Sequence, residues 1–204
     1  MNRLLPFLKN LPEKLEHIKN KYIQSSTTSV NIYCQDESRL GLQTITRRKL
    51  CKKGIKPITP HQHKFENFYL FGAFSPINGD SLMLELPYCN SEMFQLFLDE
   101  LSNHQKDEFK ILVLDNGSFH HAKTLQIPNN IALLFLPPYS PELNPAERVW
   151  HFIKQNIAMK VYKTIEELKI NLGTFIQNKL DKTRIKSLCG YSLYLTNYKY
   201  IFNV

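Results

Sequence analysis

Apolar side chains recur at three- and four-residue steps through the start of the chain: Leu4, Leu8, Leu11, Leu15, Ile18 and Tyr22. That spacing predicts a helix over residues 3–23, broken before Pro12 because proline lacks the N–H a helix needs. After the polar connector "SSTTS" (25–29), "VNIYCQDE" (30–37) alternates and starts β-branched, which predicts a strand ending near Asp36. "GLQTITRRKLCKKG" predicts a second strand and a basic turn closed by Gly54. "NFYLFGAFSP" (67–76) predicts a third strand, "INGD" (77–80) a turn, and "SLMLELP" the next strand.

The pattern then changes period. In "NSEMFQLFLDELSNHQ" (90–105), Met93, Phe94, Phe97, Leu98 and Leu101 form one helical face, with Ser91 as its cap. "KILVLDNG" (110–117) is a continuous apolar run stopped by Asp115, the signature of a central strand buried on both faces. "FHHAKTLQI" predicts a short helix and "IALLFLP" (131–137) another buried strand. A proline-rich stretch leads into a helix over about 145–158, with further helix around 164–180. Strands first, then helix, strand, helix, strand, helix: the order predicts an α/β protein, one mixed sheet with helices packed on it. The aromatic tail "CGYSLYLTNYKYIFNV" has no predicted structure.

Composition narrows the class. No run of apolar residues is long enough to span a membrane. The N-terminal segment is interrupted by Lys9, Glu13 and Lys14, so no signal peptide is expected. Cys34, Cys51, Cys89 and Cys189 are scattered and form no C-x-x-C pair, which speaks against a structural zinc site or a disulfide framework and fits a reducing cytoplasm. His61 with His63, and His120 with His121, have no partner at zinc-finger spacing. The formal net charge is +8, and it is uneven. From Ser38 to Phe65 there is no acid, only Arg39, Arg47, Arg48, Lys49, Lys52, Lys53, Lys56 and Lys64. Such a stretch favours a polyanion through phosphate neutralisation and counterion release.

Three acids sit where the predicted elements would present them. Asp36 ends the first strand, Asp115 ends "ILVLD", and Glu147 lies on the first turn of the helix after Pro137, Pro138, Pro141 and Pro145. Ligands collect at the carboxyl ends of strands in α/β sheets, so adjacent Asp-bearing strands would let the three converge. Three oxygen donors suit Mg²⁺ or Mn²⁺, and two such ions can clamp the attacking and leaving oxygens of a phosphodiester. Each acid also has a plainer role. With Asn144 as N-cap and Pro145 as first helical residue, Glu147 is the N3 partner of a capping box, and local sequence alone favours that role. Glu142 competes as the third acid and Glu37 as the first, although Glu37 should face away from Asp36. Trp150, with Ala146, Ile153 and Ile157, lies on one helical stripe and reads as core.

Taken together, "QDESRLGL…TRRKL…KKGIKP", "LVLDNGSFHHAK" and "LFLPPYSPELNPAERVWHFIK" resemble the catalytic half of DDE transposases, most of all the bacterial insertion-sequence branch of the mariner superfamily. The resemblance covers about residues 30–160, and the third motif is the most specific. It implies an RNase H-like mixed sheet with helices on both faces, two Mg²⁺ or Mn²⁺ ions, and an endonuclease that cuts transposon ends and joins their 3′-hydroxyls to target DNA. By motif the three acids of the family fall on Asp36, Asp115 and Glu147, which reverses the local preference for a capping Glu147. Arg47, Arg48, Lys49, Lys52, Lys53, His120, Tyr139 and Ser140 become candidates for DNA contact.

The implied organisation is a helical linker over 1–29, a catalytic domain over 30–160 and a helical extension over 161–204 packed on it. Relatives carry helix-turn-helix modules before the first motif, where only about 30 residues stand here. The expectation is a cytoplasmic bacterial protein that is a split-frame product, a truncated copy or an isolated catalytic domain. It would act on DNA as a homodimer, with end recognition supplied by a separate helix-turn-helix polypeptide. An inactive DNA-binding remnant and a host nuclease of RNase H type are the alternatives.

Overall fold

The run "KILVL" forms the buried heart of a strand because both of its faces are covered. β4 (Glu108–Leu114) is buried at every position after Glu108. It lies parallel to β1 (Ser29–Gly41) on one side and to β5 (Ile131–Phe135) on the other. β2 (Asn67–Phe74) runs antiparallel to β1, and β3 (Ser81–Leu86) antiparallel to β2. The order β3-β2-β1-β4-β5, three antiparallel strands continued by two parallel ones, is an RNase H-like sheet. The computed structural model describes residues 4–23, 29–46, 48, 50–55, 58 and 60–202.

Side-chain alternation divides the core in two. Tyr33, Phe71, Ala73, Leu112 and Leu114 point to one face, where α2 (Ser91–Asn103) covers them with Phe94, Phe97, Leu98 and Leu101. Ile32, Cys34, Leu70, Phe74, Ile111 and Val113 point to the other. There they meet α1 (Leu4–Tyr22) through Leu11 and Leu15, and α3 (Ala146–Ile157) through Val149, Trp150 and Ile153. Trp150 packs edge-on against Phe74, 5.2 Å between ring centroids. It can approach because Gly72 has no side chain: a Cβ there would come within 2.7 Å of the indole.

Five elements differ from the sequence-based expectation. α1 runs unbroken through Pro12. Its buried stripe of Phe7, Leu11, Leu15 and Ile18 packs into the core, and that packing outweighs one lost backbone bond. β1 continues five residues past Asp36 to Gly41, because β2 pairs with it over that whole length. The strand predicted after Gly41 is absent among the described residues. The described residues of 42–66 make a looped excursion whose legs touch at Leu42 N to Glu66 O (3.0 Å) and Thr44 N to Gln62 O (3.2 Å). Helix α2 is capped by Asn90, whose side chain accepts from Met93 N, and Ser91 is its first residue. The segment "FHHAKTLQI" forms only a 3-10 turn, Ser118–His121.

The tail is helical. After α4 (Ile165–Lys179), α5 (Lys182–Cys189) and α6 (Ser192–Phe202) fold back on the sheet. Tyr198 donates to Val30 O on β1 at 2.6 Å, and Tyr194 to Leu143 O at 2.8 Å. Among the described residues no helix is long and apolar enough to cross a membrane.

Candidate active site

β1 and β4 are neighbours, and their parallel register pairs Cys34 with Val113. Two residues further on, the same register sets Asp36 beside Asp115. Asp36 belongs to the α3 side of the sheet, across from Gly72. Asp115 follows the last residue of β4, where the strand ends and the side chain becomes exposed. The helix that carries Glu147 starts over this edge.

The lead-in to α3 is fixed at several points. Prolines at 137, 138, 141 and 145 restrict φ along it. The Asn144 side chain works at both ends, donating to Gln35 O of β1 (2.8 Å) and accepting from Ala146 N (3.1 Å). Tyr194 holds Leu143 O from the far side. The expected capping box does not form: Asn144 N donates to Pro141 O at 2.9 Å and is therefore not free for the Glu147 carboxylate. Glu147 stays exposed and faces a cleft of about 460 Å³ lined by Asp36, Asp115, Asn116, Tyr139, Asn144 and itself, among others. Glu142 does not line it.

Negative charge is concentrated here. Burial first, then the charges of Glu37, Glu147 and Asp115, push the Asp36 carboxyl up to about 8. Asp115 moves the other way. The His120 ring beside it and Gly117 N–H, which donates to its Oδ1 at 2.8 Å, outweigh burial and hold it below its ordinary value. The His120 side chain is 1% exposed, with Nδ1 3.0 Å from Asp115 Oδ1 and Nε2 3.2 Å from Glu37 Oε1. Burial alone would pull its pKa down, but the hydrogen bonds and charges of Asp115 and Glu37 win and raise it to about 9. Asn116 donates to Leu136 O and so ties the end of β4 to the end of β5.

The donor set suits a hard divalent cation. It consists of carboxylate oxygens, and their mutual repulsion is what a cation relieves. Among the described residues no three His, Cys, Asp or Glu side chains are gathered closely enough to form a finished metal cage. Asp36, Asp115 and Glu147 line the two sides of one cleft and are coupled through their charges.

The DNA-contact candidates separate. Tyr139 is 97% exposed on the rim, with φ at 57°. Arg48, Lys52 and Lys53 are exposed on the 42–66 excursion, whose legs dock on the α3–α4 connection through Met159 N to Ile45 O and Gln62 Nε2 to Tyr162 O. Arg47 and Lys49 lie outside the described residues. His120 is buried between Phe94 and Phe119 and engaged by the carboxylates of Glu37 and Asp115. Ser140 lines the same cleft, largely buried, with its hydroxyl turned to Pro138 O of its own loop. Glu37 does point away from Asp36, to the α2 face, where Gln35 Nε2 donates to it at 2.6 Å. Its link to Asp115 through His120 had no sequence signal beyond the histidine itself.

Residues 31–169 match the family described as DDE superfamily endonuclease. An uncharacterized protein, y4pE/y4sA of Sinorhizobium fredii, is 40% identical over 102 residues, 49% of this chain and 76% of that protein. The Mos1 mariner paired-end complex with Mn is similar at a TM-score of 0.67 and 18% identity, covering 100% of this chain and 63% of that one. The Mos1 transposase paired-end complex with left transposon end gives 0.65 at 18% identity, covering 100% and 62%. At such identity the likeness is one of fold, and the chain spans a little under two thirds of the Mos1 chains.

Proposed function

Since the chain belongs to the DDE superfamily endonucleases, we propose that it is the catalytic part of an insertion-sequence transposase, which cuts DNA at the element's ends and joins them to a target. The observation that carries this reading is the meeting of Asp36, Asp115 and Glu147 on one cleft, from three elements far apart in sequence. A host nuclease of RNase H type would need the carboxylates but not the proline-stiffened segment that brings Glu147 to them.

Asp36, Asp115 and Glu147 are the residues that would hold two Mg²⁺ or Mn²⁺ ions. Such a pair, when bound, supplies an activated attacking oxygen and stabilises the departing one. The chain's own part is placement. β1 holds Asp36 within its length, beside the end of β4 that Asp115 follows. Asn144 and the prolines keep α3 and Glu147 in place over them. Tyr139 on the rim and the basic residues Arg48, Lys52 and Lys53, with Arg47 and Lys49, would take the DNA backbone and its bases.

In this reading residues 30–160 are the catalytic unit and 161–204 its packed extension. The likeness to Mos1 paired-end complexes supports an active assembly of two copies on DNA, and the relative from Sinorhizobium fredii supports a bacterial setting.

The test is a cleavage and joining assay. Purified protein with Mg²⁺ or Mn²⁺ is given DNA carrying the ends of its own element, beside Asp36→Asn, Asp115→Asn and Glu147→Gln. Cutting by the wild type alone, with circular dichroism unchanged in the variants, supports the proposal. Binding without cutting under either metal would make the protein a DNA-binding remnant, and a preference for RNA–DNA hybrids would make it a host nuclease.

A further inference from the structure

Resting on that metal-dependent reading, we infer that His120, braced by Glu37, is the positioning residue that fixes the direction of Asp115 in the cleft. Asp115 needs such a residue. Its side chain is 60% exposed at a strand end, where an aspartate turns freely about two bonds. Fixing it only when a cation arrives would cost side-chain entropy at that moment.

The fold removes the freedom beforehand. Asp115 Oδ1 takes Gly117 N–H at 2.8 Å and faces His120 Nδ1 at 3.0 Å. Both contacts fall on one oxygen, which leaves Oδ2 for the cleft. His120 is itself held. Phe94 and Phe119 pack on its ring at 4.4 and 4.1 Å, its backbone N–H donates to Gly117 O at 3.0 Å, and its Nε2 meets Glu37 Oε1 at 3.2 Å. Glu37 is braced in turn by Gln35. Strand alternation makes this arrangement work: Asp36 is given to the cleft, and its neighbour Glu37 projects from the opposite, α2 face to hold the ring behind Asp115. Gly117 is part of the device. A Cβ there would stand 3.2 Å from both Asp115 Oδ1 and His120 Nδ1.

Packing alone does not account for a histidine here. The surrounding walls are aromatic, and an apolar side chain of similar shape would avoid the cost of placing a polar ring at 1% exposure. What the imidazole adds is a rigid link with a nitrogen at each end. Outer-shell partners of this kind change metal affinity by about 10–100-fold when removed.

Two amides separate the ends of the link. In His120→Asn the amide nitrogen stands near the former Nδ1 and keeps the contact to Asp115. In His120→Gln it stands near the former Nε2 and keeps only Glu37. Mn²⁺ binding to the full chain, read by electron paramagnetic resonance at one pH, should stay within about threefold of wild type for His120→Asn and weaken by about 10–100-fold for His120→Gln. Thermal unfolding of the two variants should be similar. Equal affinities, or losses that simply follow thermal stability, would overturn the positioning role. Should His120→Gln not fold, His120→Leu carries the test, since it fills the aromatic pocket with no nitrogen for Asp115: unchanged Mn²⁺ affinity there would overturn the inference. A wild type that takes no Mn²⁺, or an Asp115→Asn variant that binds as well as wild type, would overturn the metal-dependent reading itself, and the inference with it.

Discussion

The hydroxyl of Tyr194 donates to the carbonyl of Leu143 at 2.8 Å, linking the last helix of the chain to the stretch that leads into the Glu147 helix. Tyr194 is fully buried, and nearby the Cys189 thiol lies against Pro145 O at 3.8 Å. Residues from near the C-terminus thereby hold the backbone on which the third acid depends.

Tyr194→Phe keeps the ring and removes only that bond, leaving a buried carbonyl without its partner. The expected loss of stability is about 1–3 kcal/mol, read from urea unfolding. Cleavage should fall beyond what unfolding accounts for, because Glu147 loses a support. A variant with full stability and full activity would show the bond to be idle.

Tyr139 combines full exposure with φ at 57°, a backbone region that disfavours a side chain. Tyr139→Gly should therefore leave stability within about 1 kcal/mol of wild type. If the ring stacks on a base, DNA binding should weaken by about 1–3 kcal/mol, seen as fluorescence anisotropy at fixed salt. Unchanged DNA affinity would remove Tyr139 from the DNA path.

Cys89 is an exposed thiol pushed up to about 11 by burial of its sulfur and then by the charges of Glu37, Asp115 and Asp36. A divalent cation among those carboxylates would offset their charge and ease thiolate formation. Alkylation of Cys89 by iodoacetamide near pH 8 should accelerate by up to about tenfold on adding Mg²⁺, one pKa unit being tenfold in thiolate. Cys51, exposed on the basic excursion, is the internal reference and should not change. Equal rates for Cys89 with and without Mg²⁺ would count against a cation in the cleft.

At the other end of the sheet, Asp80 Oδ2 meets Tyr33 OH at 2.8 Å and His104 Nε2 at 2.6 Å. Burial would raise its carboxyl, but these hydrogen bonds, with the charges of His104 and Lys182, hold it below the ordinary value. A depressed carboxyl adds stability that is present above the unfolded value near 3.9 and lost as pH falls through the folded one. Asp80→Asn should cost about 1.5–3 kcal/mol at pH 7 and make the decline below pH 4 shallower. Parallel acid limbs in variant and wild type would show that Asp80 does not carry the linkage.

The sequence alone determined the elements whose pattern is local. Apolar stretches on either side of an Asn-Gly turn gave β2 and β3, the unbroken apolar run gave β4, and helical spacing gave α2 and the core stripe of Ala146, Trp150, Ile153 and Ile157. The family resemblance carried by three motifs in order marked Asp36, Asp115 and Glu147 as the candidate acids, where local pattern alone favoured a capping Glu147. Tertiary structure decided what depends on partners far away in the chain. Pro12 stays inside α1 because packing outweighs one missing bond, and β1 outruns its local pattern because β2 lies beside it. Asn144 reaches Gln35, Tyr194 reaches Leu143, and Glu37 reaches Asp115 only through His120. A hydrogen bond across many residues leaves no periodicity to read, since only the folded sheet brings its two ends within 3 Å or so.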